Sequence, residues 1–207
     1  MQRLACLALA AAGCHGGAPA RPRASCPVGG QAIVYGQEDV DALAGCARLA
    51  GLTVRTAAPV ELARLTALVA IDGDLVIGPT LANTTLSLPA LALVGGRVRV
   101  SGNGDLSGLY LPALRRAGAV EIVDDPVLVS VSAPALAAVG GAVTLERLPA
   151  LELVDSGALV EVAGPLTVAR VPVLATWVGP PARVGGAVAV DAPALDADAR
   201  AAIDRGP

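Results

Sequence analysis

A glycine recurs at nearly constant intervals along most of this chain, seven times between positions 51 and 186. Successive glycines are 22 or 23 residues apart, and each precedes a short run in which the side chains alternate as in a β-strand. A period of this length indicates a stacked repeat, in which each turn buries its apolar side against its neighbours. The repeated glycines are Gly51, Gly73, Gly96, Gly118, Gly141, Gly164 and Gly186.

Other residues recur in phase with the glycines and mark corners. Leucine or cysteine stands four or five residues before most of the glycines, and bends such as Leu111-Pro112-Ala113-Leu114 carry a proline. Proline cannot donate to a sheet ladder, so it favours corners over strand centres. Each turn is predicted to contain a regular strand after the glycine, a corner, a looser second strand and a proline corner. The sequence therefore predicts a mainly β fold, a right-handed β-helix or solenoid of about seven 22–23-residue turns with short helical caps.

Alternation within the regular strands places one set of side chains toward solvent. Most of this outer set has the composition of an ordinary solvated sheet face. Its charged residues are concentrated in the earlier turns, which makes a recognition surface the second interpretation. Arg99 beside Glu121 on adjacent strands is expected to form a cross-strand ion pair worth a few tenths of a kcal/mol. The candidate binding residues are Asp74, Arg97, Arg99, Tyr110 and Glu121.

The N-terminus has the pattern of an export signal rather than of a folded segment. A positive charge at Arg3 precedes a short apolar run that ends at Gly13-Cys14, and the run is too short to span a bilayer. The pattern is similar to the bacterial lipoprotein signal and predicts a leader over residues 1–14 with lipid on Cys14. Ala11 stands where leucine is usual, which leaves cleavage by an ordinary signal peptidase as the alternative. Residues 15–25 are predicted to be a flexible tether.

Two cysteines remain after the leader and the lipidated residue, Cys26 and Cys46. In an exported protein such a pair is expected to form a disulfide, whereas a metal or redox site would need a CxxC motif or a histidine partner. We predict that residues 26–50 form an N-terminal cap, with a strand over 31–35 and a helix over 39–48. The disulfide would hold this helix over the open end of the solenoid and protect its strand edge.

The other end of the repeat region calls for a second cap. We predict that the solenoid spans residues 51–195 and that residues 196–207 form a cap and tail, with a short helix over 195–205. Trp177 falls in an inward-facing column and is expected to seal the core at this end. Its alternative role is an exposed platform that stacks on a carbohydrate.

The region from Cys26 to Cys46 with Gly51-Leu52-Thr53-Val54, followed by repeated Val-Gly-Gly-x-Val-x-Val strands, resembles the receptor L-domain. The resemblance covers residues 26 to 195 and implies a leucine-rich right-handed β-helix with a general binding role. The Asn-x-x-Leu motif that the family places after each strand occurs here once, at Asn103 to Leu106. The chain carries no cysteine-rich module or kinase, so receptor signalling is not implied, and the resemblance supplies no ligand-contact residues.

Catalytic and nucleic-acid-binding classes have little support in this composition. The one histidine, His15, lies in the tether, which argues against histidine-dependent hydrolases and zinc sites. Net charge is −3 and no basic run is present, so nucleic acid is not an expected partner. A calcium loop at 102–105 is the alternative to a tight Asn-Gly turn. Carboxylate chemistry on a glycan is the remaining enzymatic route, although turn placement also explains its candidates: Asp72, Asp74, Asp124, Asp125 and Asp155.

These observations predict a lipid-anchored lipoprotein of the bacterial cell envelope, in the outer membrane. The protein is expected to be a non-enzymatic monomer without a cofactor or metal, and to present a surface to an envelope protein or glycan. A structural spacer with no specific ligand is the alternative, followed by the carboxylate-based glycan enzyme.

Overall fold

In a computed structural model, which describes residues 26–27 and 29–204, the chain forms a mainly β solenoid of about seven turns with two short α-helices. The predicted leader, the predicted lipidation site at Cys14, the predicted tether and residues 205–207 lie outside the described residues. The α-helices are α1 (Gln37–Leu43) and α2 (Ala197–Asp204), and a 3-10 helix spans Leu62–Arg64. The strands are β1 (Gln31–Val34), β2 (Arg48–Leu49), β3 (Gly51–Val54), β4 (Ala70–Ile71), β5 (Leu75–Ile77), β6 (Thr85–Ser87), β7 (Leu93–Ser101), β8 (Gly108–Tyr110), β9 (Arg116–Val123), β10 (Ser130–Ser132), β11 (Ala138–Val139), β12 (Val143–Glu146), β13 (Leu153–Asp155), β14 (Glu161–Val162), β15 (Leu166–Ala169), β16 (Thr176–Val178), β17 (Arg183–Val184) and β18 (Val188–Val190).

The strands stack in parallel and form three faces. Face 1 contains β1, β3, β5, the second halves of β7 and β9, then β12, β15 and β18. Face 2 contains β2, β4, the first residues of β7 and β9, then β11, β14 and β17. Face 3 contains β6, β8, β10, β13 and β16. Each full turn therefore has three strands, one more than the sequence predicts, because the two-residue strands of face 2 are too short to show alternation.

The repeated glycines lie at the corner between faces 2 and 1, where successive turns of backbone come into close contact. A β-carbon at Gly118 would lie 2.4 Å from the carbonyl oxygen of Gly95, and one at Gly164 would lie 2.7 Å from the carbonyl carbon of Gly141. Real β-carbons do not come this close to backbone atoms. From Gly73 onward the period visible in the sequence thus reflects a steric requirement for glycine at this corner, whereas a β-carbon at Gly51 would lie closest to the flexible side chain of Gln31 (3.2 Å).

Aliphatic side chains from all three faces fill the interior. The inward residues of face 1 are largely buried, as the alternation predicts, and a leucine column after each face-1 strand is fully buried at Leu106, Leu128, Leu151 and Leu174. Trp177 on β16 is 4% exposed and belongs to the same core. The prediction that it faces inward is confirmed, and its burial removes the alternative of an exposed stacking platform.

Both predicted caps are present, with different boundaries. Strand β1 pairs in parallel with β3 and is therefore the first strand of face 1. Helix α1 begins earlier than predicted and ends at Leu43, because Arg48–Leu49 is the first strand of face 2. Helix α2 begins after Asp196, whose Oδ1 accepts a hydrogen bond from the N–H of Ala199 (2.8 Å) and satisfies one of the open donors of the first turn. Among the described residues, no helix has the length and apolar character needed to cross a membrane.

The predicted disulfide between Cys26 and Cys46 is confirmed. The bond joins the start of the described chain to the segment between α1 and β2. Val40 and Leu43 on α1 are buried in the core, and α1 packs against β1. The disulfide therefore closes the loop that carries the capping helix, as the sequence analysis anticipates.

Candidate binding face

Four of the five predicted binding residues lie close together on the outside of face 1. Val76, Arg99 and Glu121 are direct neighbours on β5, β7 and β9. Arg97 is two residues before Arg99 and therefore has the same outward orientation. Asp74 directly precedes β5, and its Oδ1 accepts a hydrogen bond from the backbone N–H of Arg97 (2.7 Å). The alternation of the strands thus positions these side chains on one surface.

Glu121 is the shared anion of this surface. Its Oε2 lies 2.9 Å from Nη1 of Arg97, and its Oε1 lies 3.5 Å from Nη1 of Arg99. Both arginine side chains are about half exposed, at 50% and 45%. Exposed ion pairs of this kind contribute about 0–1 kcal/mol each to stability. The cross-strand pair predicted from the sequence is present, and the fold does not depend on it.

An open groove of about 430 Å³ lies beside this cluster. Its lining includes three arginines, Arg55, Arg97 and Arg99, together with the uncharged Val76, Gly78 and Pro79. Gly78 has a φ of +122°, and a β-carbon there would lie 1.9 Å from the carbonyl oxygen of Ser101. Only glycine fits this position. The groove is lined by Arg55, Asp74, Val76, Gly78, Pro79, Arg97, Arg99 and Ser101.

Two further lining residues of the groove, Arg55 and Ser101, are not among the residues predicted from the sequence. Val54, Ile77 and Val100 are direct neighbours in the register of face 1. The residues that follow them, Arg55 and Ser101 among them, therefore occupy equivalent positions in successive turns. A residue-by-residue alignment of the repeats would have placed Arg55 beside the predicted cluster. Its side chain is exposed, and it makes no hydrogen bond or ion pair with the described part of the chain.

Tyr110, the fifth predicted binding residue, lies on face 3 and not with the other four. It ends β8, is 39% exposed, and its hydroxyl lies 3.4 Å from Oγ of Ser130 on the adjacent strand. Its ring lies over Gly108. The sequence could not separate it from the arginines, because assignment to a face requires the path of the chain around each corner.

The acidic residues considered for catalysis have structural partners. A hydrogen bond from Nε of Arg48 (2.9 Å) lowers the pKa of Asp72, and a hydrogen bond from Arg147 lowers the pKa of Asp124. Oδ1 of Asp155 accepts a hydrogen bond from the N–H of Gly157 (3.2 Å), and its Oδ2 accepts one from Oγ of Ser132 (3.2 Å). The turn interpretation accounts for Asp72 and Asp124, whereas Asp155 is the last residue of β13.

Asp125 differs from the others because it is fully buried. It lies in a column at the corner after face 1, where Thr80 and Asn103 occupy equivalent positions in the two preceding turns. Oδ1 of Asn103 accepts hydrogen bonds from the backbone N–H (3.0 Å) and the hydroxyl (2.8 Å) of Thr80. The next residue of the column after Asp125 is Leu148. Burial raises the pKa of Asp125 to about 6.

The segment 102–105 was considered as a calcium loop, but its side-chain oxygen atoms accept hydrogen bonds from other parts of the fold. Asn103 is buried, and its side chain is engaged by Thr80 and Asp125. Oδ2 of Asp105 accepts a hydrogen bond from the N–H of Ala82 (2.9 Å). Within residues 26–27 and 29–204 there is no group of three or more His, Cys, Asp or Glu side chains placed to hold a metal ion.

Comparison with known proteins identifies no relative of this chain: no family model, no curated protein and no solved structure matches it significantly.

Proposed function

We propose that this chain is an exported, lipid-anchored β-solenoid of the bacterial cell envelope that binds an envelope protein or glycan through face 1. It acts as a monomer and without catalysis, cofactor or metal. The observation that carries the proposal is the groove of face 1, which Arg55, Arg97 and Arg99 line together with the apolar Val76 and Pro79. Long exposed cations around a depression are typical of a recognition surface.

Two further observations support the location. The leader with Cys14 at its end has the bacterial lipoprotein pattern, and the Cys26–Cys46 disulfide is compatible with an oxidising compartment. The receptor L-domain assignment is part of the same proposal. It is supported by the glycine-led strands that form face 1 and by the capping helix tied by the disulfide.

The binding role is tested with two variants of the full chain that change charge equally. The first, Arg97→Glu with Arg99→Glu, reverses the charge at the groove. The second, Arg115→Glu with Arg116→Glu, reverses the charge of two exposed arginines at the start of β9, in the part of that strand that belongs to face 2. Each immobilised protein is incubated with solubilised envelope, and bound protein and polysaccharide are quantified separately.

We expect the wild type and the face-2 variant to retain the same bound component and the groove variant to lose it. Equal retention by all three proteins, or no retention above an empty support, would contradict binding through face 1 and favour the spacer. The anchor has its own test. Replacement of Cys14 by Ala should release the protein from the membrane fraction and remove the mass of the lipid; an unchanged mass and fraction would contradict lipidation.

A further inference from the structure

The charges of the groove point to an anionic ligand. Three arginines border it, and two carboxylates, Asp74 and Glu121, stand against them, which leaves an excess of one positive charge (three minus two). Glu121 is shared between Arg97 and Arg99, and Oδ1 of Asp74 is occupied by a backbone N–H. The chain as a whole has a net charge of −3. The groove is therefore a local positive site on a negative protein, and its field favours anions at this position.

The spacing of the cations defines what such an anion must look like. Arg55 follows β3 and Arg99 lies in β7, with β5 between them. Strands β3 and β7 are two strand spacings apart, which is roughly 10 Å. Val76 on the intervening strand β5 and Pro79 are apolar lining residues of the groove, and Ser101 adds a hydroxyl. A matching ligand has carboxylates at intervals of several ångströms, an apolar surface between them and polar groups at its rim.

Peptides and nucleic acids fit this surface less well. Strands β3, β5, β7 and β9 are each paired on both sides, so face 1 has no free edge here to which an extended peptide could add as a strand. The groove has no aromatic side chain among its lining residues, and single-stranded nucleic acids depend on such platforms for base stacking. A sugar acid needs neither feature. Its ring has an apolar C–H face, and its planar carboxylate matches the fork of a guanidinium.

We propose that the groove of face 1 binds a uronic-acid segment of an acidic polysaccharide, with carboxylates on Arg55 and Arg99 and a sugar ring over Val76 and Pro79. This inference rests on the proposed function, since it names the ligand class of the same face. Arg55 and Arg99 provide the affinity, and the apolar Val76 and Pro79 select a pyranose ring over a small free anion.

The test uses the full chain, purified from membranes in detergent, and a hexamer of galacturonic acid as the probe. The same hexamer with its carboxylates methyl-esterified is the neutral control, and a hexaglutamate peptide is the acidic non-sugar control. Calorimetric titration compares the wild type, the pair Arg55→Ala with Arg99→Ala, and the matched pair Arg115→Ala with Arg116→Ala. Circular dichroism melting confirms that each variant is folded.

We expect the acidic hexamer to bind the wild type and the matched pair alike, and the Arg55/Arg99 pair to bind it at least tenfold more weakly, the loss expected when charged hydrogen bonds are removed. Binding should weaken as salt is raised. Equal binding of the esterified hexamer or of hexaglutamate would overturn the ligand class, and equal loss in both arginine pairs would overturn the site. Failure of every probe while envelope material is still captured through Arg97 and Arg99 would overturn this inference and leave the proposed function standing.

Discussion

Oδ1 of Asp125 accepts two hydrogen bonds from Asn103 in the preceding turn, one from the backbone N–H (2.7 Å) and one from Nδ2 (3.0 Å). Its other oxygen, Oδ2, is the one buried side-chain polar atom in the described part of the chain that has no hydrogen-bond partner. The next residue in the column is Leu148, whose side chain has no hydrogen-bond donor. The polar column thus ends in a half-satisfied carboxyl group, which is costly to bury in its ionised form.

This relationship predicts that stability falls as the pH is raised toward neutrality. Burial raises the pKa of Asp125 from 3.8 to about 6, so the native state binds the proton more tightly than the unfolded state does. The stabilisation is complete below pH 4 and is lost as the pH rises through 6, an effect on the order of 2 kcal/mol. Asp72 and Asp124 have lowered pKa values and act in the opposite direction, at more acidic pH.

Urea unfolding at pH 4.5 and pH 8 measures this effect. Asp125→Asn keeps an oxygen for Asn103 and removes the charge, so it should be more stable than the wild type at pH 8, by about 1–2 kcal/mol, and close to it at pH 4.5. Asp124→Asn removes a neighbouring exposed carboxylate whose charge also raises the pKa of Asp125, so it should reduce, but not abolish, the loss of stability between pH 4.5 and pH 8. An unchanged pH dependence in Asp125→Asn would show that another group is responsible.

Trp177 and Ser156 predict a second local contribution to stability. Nε1 of Trp177 donates a hydrogen bond to Oγ of Ser156 (2.9 Å), and that hydroxyl donates to the carbonyl oxygen of Gly179 (2.8 Å). The indole also borders a largely apolar cavity of about 60 Å³. Trp177→Phe removes the hydrogen bond and enlarges the cavity, so we expect a loss of about 2 kcal/mol in the free energy of unfolding.

The measurement is urea unfolding followed by circular dichroism, because the variant has no tryptophan. Val178→Ala, on the same strand but 47% exposed, is the control and should change stability by less than about 0.5 kcal/mol. If Trp177→Phe were no more destabilising than Val178→Ala, the ring would not be an anchor of the C-terminal core.

How far the sequence predicts this structure depends on whether a feature repeats. The glycine column could be found because the same steric limit acts in successive turns from Gly73 onward, and Gly118 and Gly164 meet it in the same way. The alternation of face 1 likewise predicted that Arg97 and Arg99 point outward together. Asp125 was correctly assigned to a turn, but its burial depends on Asn103 in one neighbouring turn and on Leu148 in the other. Tyr110 was grouped with the arginines because alternation gives the side of a strand and not the face of the solenoid.

The N-terminal disulfide predicts a measurable loss of stability on reduction. Cys26 and Cys46 are 20 residues apart, and opening a loop of this size costs about 3 kcal/mol in the chain-entropy estimate. The variant with both cysteines changed to serine should unfold at a lower urea concentration, followed by the fluorescence of Trp177. Reductant should shift the wild type by a similar amount and leave the variant unchanged. A wild type that is insensitive to reductant would show that α1 is held by packing alone.

Three charged residues at equivalent positions of consecutive turns have left-handed backbone conformations. Asp124, Arg147 and Arg170 have φ values of 59°, 55° and 57°, and each follows a face-1 strand whose neighbours are in register. Residues with a β-carbon pay about 1 kcal/mol for this conformation, whereas glycine does not. Arg170 makes an ion pair with Glu146, but its side chain is 65% exposed, so that pair contributes little.

We therefore expect Arg170→Gly to raise the free energy of unfolding by about 0.5 kcal/mol, and Arg170→Val to lower it by more than 1 kcal/mol, because a β-branched residue is strongly disfavoured at positive φ. Arg183→Gly, in the regular strand β17, is the matched control and should destabilise by about 0.5–1 kcal/mol through backbone entropy. Urea unfolding followed by the fluorescence of Trp177 compares the three variants. The opposite signs expected for Arg170→Gly and Arg183→Gly separate backbone strain from the loss of an arginine, and equal destabilisation by both would show that the left-handed column carries no relievable strain.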